Sequence, residues 1–359
     1  MPILAFITSA IYIPGLVSAS VAPRWWAILI AAPVLMALRS TVPIRWTVGH
    51  LLGLTFLIYA ATSLLWAFDP LQGIGALVQF AALALIFQIA SEAQDLRRVW
   101  LGLALGFVTS VPFVVMQLFG SRIAAPLGGI AGLFLNRDNF AEALVVALAG
   151  ILSVKNKNHL ECLAMLSCFI MLACSGSRGA LLALGAVVFF YAMHGRPFRQ
   201  WLMIATPLVL AAGALIWLDS QDAWRSASVT NRFDFWAWTL ANLKPFGWGF
   251  ASYGSVLPWD HAHNDLMEAV FDLGIGSITF VAFIVVAFRG KLLAERLVLV
   301  AVLAEGLVSF PLHEPVTLFA TALALGRLYG ARDRLLRSEP DQRDRDWCHA
   351  HRWSLSQPV

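Results

Sequence analysis

Charge is scarce in this 359-residue sequence, where Asp, Glu, Lys and Arg together make up 13%. A soluble globular protein carries about a quarter. With 59% hydrophobic residues and a mean hydropathy of +0.75, water is excluded as the main solvent. Cysteine is scarce as well. Cys162, Cys168 and Cys174 sit at six-residue intervals in one apolar stretch and Cys348 in a polar one, which provides neither a disulfide framework nor a zinc spacing. The chain opens without a basic n-region or a small-residue cleavage pattern, so Met1 to about Ala22 reads as a retained first span. No convincing internal repeat relates the two halves. The pI of about 9.0 does not point to nucleic acid, because Lys and Arg are dispersed two or three per loop and form no stripe.

What the sequence does have is apolar length. A bilayer core needs about 17 to 25 mostly apolar residues per spanning helix. Runs of that kind, broken by short polar punctuation, centre near residues 12, 31, 57, 82, 109, 146, 167, 187, 209, 273, 304 and 321. The expected fold is all-α and polytopic, with about twelve transmembrane helices. The start is irregular, since Pro14 and Gly15 interrupt the first span and Pro33 the second, over Trp25 to Leu38. Loop charge orients the chain, because cytoplasmic loops collect Lys and Arg. With the N-terminus inside, the inner loops hold Arg39 and Arg45, Arg97 and Arg98, Lys155 and Lys157, Arg196 and Arg199, then Arg289, Lys291 and Arg296. Residues 1–330 read as one transmembrane domain, and 331–359 as a solvated, partly disordered cytoplasmic tail. One external loop is long, 219–260, and is expected to contain short helices.

The candidate chemistry gathers on the external side. In the long loop, Thr230 or Asn231 can cap a helix over Arg232 to Leu240, which Lys244-Pro245-Phe246-Gly247-Trp248-Gly249 then stops. That helix reads either as an interfacial anchor with Arg232 snorkelling, or as an anion site in which backbone N–H groups at its N-terminus add to the Arg232 charge. At the loop's end stands His261-Ala262-His263-Asn264-Asp265, with Glu268 and Asp272 one and two turns on and Gly274-Ile275-Gly276 after them. A histidine beside an amide and a carboxylate is equipped as a general base. A plain helix cap and a His-x-His metal site are the competing readings. Ser175-Gly176-Ser177-Arg178-Gly179 is a tight turn whose arginine fork suits phosphate oxygens, or simply a helix–helix turn. The same side receives Arg122, Asn136, Arg137, Asp138 and Asn139. Of the acids in or near spans, Glu142 and Glu314 lie close enough to a surface to be wet, and Glu305 is the better intramembrane candidate.

Together these residues resemble the bacterial O-antigen ligase and O-antigen polymerase superfamily. The resemblance rests on Gly132-Leu133-Phe134-Leu135-Asn136-Arg137-Asp138-Asn139-Phe140-Ala141, on Ser175 to Ala180, on Arg232 followed by Pro245 to Gly249, and on His261 to Asp265. Nine residues separate His263-Asn264 from Gly274, a spacing like the family's histidine motif, and Phe310-Pro311-Leu312-His313-Glu314-Pro315 is similar to its late external turn. The resemblance implies a GT-C-like glycosyltransferase of the bacterial inner membrane, with both termini cytoplasmic and the active site periplasmic. Its donor would be a saccharide on undecaprenyl diphosphate, and its acceptor lipid A-core or a growing glycan. It implies inversion, no metal, no cofactor beyond the donor's carrier, and no nucleic-acid partner. By position, Arg178 and Arg232 would hold the diphosphate, and His263 would orient or deprotonate the acceptor hydroxyl. His261, Asn264, Asp265, Asn136, Arg137, Asn139 and His313 are the expected substrate contacts. The histidine motif favours a ligase over a polymerase. A transporter or flippase of lipid-linked oligosaccharide is the rival of another class, since about twelve spans also suit a transporter.

Overall fold

A computed structural model describes residues 1–354 apart from 15, 17, 40–45, 126–128, 155, 198–222 and 258–260; over 223–231 and 336–354 it describes the backbone. The span expected near residue 209, the basic residues Arg45, Lys155 and Arg199, and the ends of the long loop lie outside the described residues. So do the side chains of Thr230, Asn231, Arg337, Arg343, Arg345, Cys348 and Arg352.

The described regular structure is helical, and its boundaries follow local capping chemistry. The helices are α1 (Pro2–Ala10), α2 (Val21–Ala37), α3 (Val48–Ser63), α4 (Pro70–Glu92), α5 (Arg97–Val108), α6 (Val111–Leu118), α7 (Arg137–Leu152), α8 (His159–Ser175) and α9 (Arg178–Met193). After the undescribed stretch come α10 (Ala223–Ala241), α11 (Tyr253–Val256), α12 (Asp265–Leu273), α13 (Ser277–Ala287), α14 (Leu293–Gly306) and α15 (Pro315–Ser354). Thr47 and His50 form a capping box on α3, Asn158 and Glu161 another on α8, and Asp69 accepts from Leu71 and Gln72 just before Pro70 opens α4. Each cap satisfies backbone donors that a helix start leaves without partners.

Among the described residues, three helical stretches are long and apolar enough to cross a membrane: Pro70–Glu92, Arg97–Leu118 and Asp265–Ala287. Four shorter apolar helices are α2, α3, α8 and α9. Two expectations are corrected at the start of the chain. Met1 to Ala22 is not one helix, because α1 ends at Ala10 just before the Pro14 region, and α2 runs through Pro33 from Val21 to Ala37 without stopping there. At the end of the chain, the helix begun at Pro315 continues past Ala331 to Ser354.

Helix α7 is the hub of the packing. Its residues Phe140 to Ile151 are buried without interruption, and α5, α8, α9 and α14 pack around it. Such an all-round apolar helix belongs at the centre of a bundle. Polar contacts gather at the two ends. At one, Arg97 grips Glu161 at 2.6 Å, Arg39 pairs with Glu92, and Arg334 donates to Ser91 O at 3.0 Å. At the other, Asn264 reaches Leu307 O, Phe68 N donates to Trp248 O, and Arg24 reaches Leu133 O. The candidate residues lie at this second end.

Candidate functional site

The nine-residue spacing between Asn264 and Gly274 is a single short helix. Asn264 Oδ1 accepts from Met267 N at 3.0 Å as the N-cap of α12, the helix occupies Asp265–Leu273, and Gly274, with φ +53° and ψ −127°, closes it. A Cβ on Gly274 would overlap the carbonyl of Pro245, and one on Gly247, at φ +73°, would overlap that of Asp272. The Pro-Phe-Gly-Trp-Gly turn and the end of α12 therefore interlock, with Ile275 N on Pro245 O at 2.8 Å and Gly249 N on Asp272 O at 2.9 Å. Asn264→Ala removes the cap and is expected to cost about 1 kcal/mol of stability. A thermal melt of the detergent-solubilised variant checks this, and an unchanged unfolding temperature would show the cap to be dispensable.

His263 has a left-handed φ of +53°, which a non-glycine residue adopts at a cost. Its neighbour Ala262 is pinned from both sides, N–H to Glu268 Oε2 at 3.2 Å and C=O from Trp236 Nε1 at 3.0 Å. Trp236 belongs to α10, where Arg232, Phe235, Trp236 and Thr239 share one face by helical spacing. Phe235 stacks on the His263 ring at 6.2 Å, and Thr239 bonds the Tyr253 hydroxyl at 2.9 Å. Because α10 begins at Ala223, Thr230 and Asn231 lie within it and cannot cap it. Arg232 is mid-helix, so the reading in which N-terminal amides reinforce its charge is corrected: those amides are committed to the helix.

The structure brings three of the expected residues into one electrostatic neighbourhood. Burial, the Arg232 charge and the His261 ring hold the His263 proton affinity below the ordinary imidazole value, against a weaker pull from Asp138 and Glu268. Arg232, half-buried, experiences the charges of Asp138, Arg178 and Glu142. Arg178 is the first residue of α9, immediately after Gly176 turns the chain at φ +66°. From α7, Asn136 is spent as the N-cap, accepting from Asp138 N at 2.8 Å, while Arg137 is exposed and loosely paired with Asp138 at 3.9 Å. Asn139 turns instead toward Glu314.

His261 and His263 serve different surroundings, although Phe310 touches both rings, at 4.5 Å and 5.1 Å. His261 faces a cavity of about 330 Å³ with Asp265, Glu268, Asp272 and His313 in its wall. Glu268 Oε1 lies 3.3 Å from His261 Nδ1 and 3.0 Å from His313 Nε2, and the two imidazoles stand 4.2 Å apart. Burial alone would lower the His313 proton affinity, but the Glu268 carboxylate, with Asp265 and Asp272 behind it, raises its pKa to about 9. The Glu268 carboxylate thus holds the His313 imidazolium on one oxygen and has the His261 ring against the same oxygen. His261, Glu268 and His313 also offer one ligand atom each within 4.8 Å, a donor set suited to zinc. The metal reading of His-x-His paired His261 with His263; here the partner of His261 is His313.

One buried group escaped the sequence reading. Arg24 is fully buried, pairs with Glu314 at 3.3 Å, and stacks 3.5 Å over Phe134 of the Asn136 motif. Glu314 is 2% exposed, which corrects the expectation of a wet carboxylate. Glu305 is wholly buried and neither of its oxygens has a hydrogen-bond partner. A lone arginine in the apolar Val21–Ala37 run is itself the signal that could have drawn attention to Arg24, since an unpaired one is expensive there. Likewise Asp265, Glu268 and Asp272 follow helical spacing, which puts three carboxylates on one face of α12.

No curated protein matches the chain. Residues 163–284, from within α8 into α13, match the family model described as O-antigen ligase, a stretch that includes Arg178, Arg232 and the His261–Asp265 run, and this match supports the O-antigen ligase and polymerase superfamily for this protein.

Proposed function

We propose that this protein is an inverting, metal-independent glycosyltransferase that moves a saccharide from an undecaprenyl-diphosphate-linked donor to an acceptor hydroxyl at the periplasmic face of the inner membrane. The observation that carries the reading is the grouping of Arg178, Arg232 and His263, from α9, α10 and the loop before α12, in one electrostatic neighbourhood. Two guanidinium forks suit the charge that develops on a departing diphosphate, and a neutral imidazole suits proton removal from the acceptor. In the step itself, the acceptor oxygen attacks the anomeric carbon opposite the diphosphate. The new C–O bond forms as the old one breaks, the electron pair leaves with the diphosphate, and the acceptor proton passes to His263. The ligase-like description, with lipid A-core as acceptor, fits the histidine motif; a polymerase would use the same donor chemistry.

Reconstituted protein given labelled undecaprenyl-diphosphate glycan and acceptor tests this. Release of undecaprenyl diphosphate together with glycan transfer is the expected result, and translocation without bond cleavage would overturn it in favour of a flippase. The rate also carries a pH signature. His263 must be neutral to accept a proton, and its proton affinity is lowered from the ordinary value of about 6.5. Transfer is therefore expected to be flat near neutrality and to fall on acidification, with an inflection below about 6.5. Initial rates across that range check it, and an inflection above the ordinary value would contradict the lowered affinity.

A further inference from the structure

We infer that His261, Asp265, Glu268 and His313 form a binding site for a divalent ion of the zinc class, which ties the histidine loop and the start of α12 to the Pro311–His313 turn. Two imidazoles with carboxylates are donors that zinc takes, whereas magnesium and calcium take oxygen. The ligands come from two separated stretches, 261–268 and 313, so the ion acts as a staple. The inference stands apart from the glycosyl-transfer reading. His263, Arg178 and Arg232 are not among the ligands, and the transfer step draws nothing from the ion.

The distances carry the geometry. Around a tetrahedral ion with bonds of about 2.0 to 2.1 Å, neighbouring ligand atoms stand about 3.3 Å apart. His261 Nδ1 is 3.3 Å and His313 Nε2 3.0 Å from Glu268 Oε1, and Asp265 Oδ1 is 3.8 Å from His313 Nε2. The ligand atoms of His261, Glu268 and His313 all lie within 4.8 Å of one another. Both carboxylates are oriented by the backbone behind them. Glu268 Oε2 accepts from Ala262 N at 3.2 Å and Asp265 Oδ2 from Leu312 N at 3.1 Å, which leaves Oε1 and Oδ1 to face the imidazoles. Asp272, the third carboxylate of the cavity wall, is engaged by Ser252 N at 3.2 Å and stays outside the set.

Asp265 Oδ1 distinguishes an ion from a proton as the occupant that suits this cluster. The described lining of the cavity has no lysine or arginine, so the positive charge facing its carboxylates comes from the His313 imidazolium, 3.0 Å from Glu268. That proton answers one carboxylate only. Asp265 is 8% exposed, and its Oδ1 has no hydrogen-bond partner among the described residues. A divalent ion takes the place of the His313 proton, carries twice its charge and reaches Asp265 Oδ1 as well. The His261 and His313 side chains, 28% and 38% exposed, leave a way in from the cavity.

The test uses the full-length protein in detergent, stripped with a chelator and titrated with Zn2+ against a zinc indicator, with bound metal counted by mass spectrometry. One zinc per chain is expected, together with a raised melting temperature. Mg2+ and Ca2+ in about a hundredfold excess are expected not to displace it. Glu268→Gln and His313→Ala are each expected to weaken zinc binding by at least about tenfold, the lower end of what even a supporting residue costs. His263→Ala is expected to leave binding unchanged, which separates this site from a His-x-His pair. Should Glu268→Gln fail to fold, His313→Ala, at a partly exposed ring, still decides. Less than about a tenth of an equivalent bound at micromolar zinc, displacement by Mg2+ or Ca2+, or undiminished binding in His313→Ala would overturn the inference. Undecaprenyl diphosphate release by the stripped and the zinc-loaded protein keeps the two claims apart. Transfer without zinc binding defeats only the ion site, and zinc binding without transfer defeats only the glycosyltransferase reading.

Discussion

His263→Ala is expected to lower glycan transfer by about 100- to 10,000-fold, the range over which a positioned general base contributes. The loss belongs in kcat, because the donor's diphosphate is assigned to arginines on α9 and α10 and the donor KM is expected to change little. Truncation leaves the packing largely intact: Ala262, not His263, carries the hydrogen bonds to Trp236 and Glu268 that hold the loop. The left-handed backbone at 263 persists, so size-exclusion behaviour and melting temperature are expected to stay close to those of the parent. Three further readouts distinguish a base from a merely structural ring. The acidic inflection in the rate profile disappears in the variant, added imidazole restores part of the activity, and His261→Ala keeps an inflection, moved upward because the His261 ring no longer lowers the His263 proton affinity. Retention of rate within about tenfold would remove His263 from the proton-transfer role, since removal of a base costs at least about 100-fold.

Why the sequence disclosed His263 but not its setting follows from the reach of each interaction. The Asn264–Gly274 spacing is local: a cap, nine helical residues and a left-handed stop, each written in residues next to one another. Arg178 at a helix start after a glycine turn is local too. Arg24 pairs with Glu314 across 290 positions, and no periodicity links residues so distant. His261 and His313 are joined through Glu268 in the same way, which is why His-x-His suggested the wrong partner. Misreading α10 had another origin. Thr230 and Asn231 are good caps in isolation, but the turns preceding them are also helical, and a continuing helix overrides a cap signal in its interior. Composition pointed to a helical membrane protein, because so little charge leaves few other ways to satisfy the backbone in lipid.

Arg178→Ala and Arg232→Ala are each expected to reduce the rate of diphosphate release by about 100- to 1,000-fold, the cost of losing one donor to developing negative charge. The two guanidiniums differ in setting, and the variants should differ with them. Arg178 is exposed at the first position of α9, so replacement there removes no buried packing. Arg232 is half-buried on the face of α10 that meets Phe235 and Trp236, and its loss also removes the charge that helps keep His263 neutral. Arg232→Ala is therefore expected to move the acidic inflection of the rate profile upward, toward the ordinary imidazole value, while Arg178→Ala leaves it nearly in place. Lysine at either position restores charge without the planar fork and is expected to recover only part of the rate. Because both groups act on one departing diphosphate, the double variant is expected to lose less than the product of the single losses. Single-turnover release of undecaprenyl diphosphate, compared with donor binding measured separately, decides the matter. Weakened binding with an unchanged single-turnover rate would mean that the arginines hold the donor without stabilising its departure, and would shift the leaving-group role to other residues of the site.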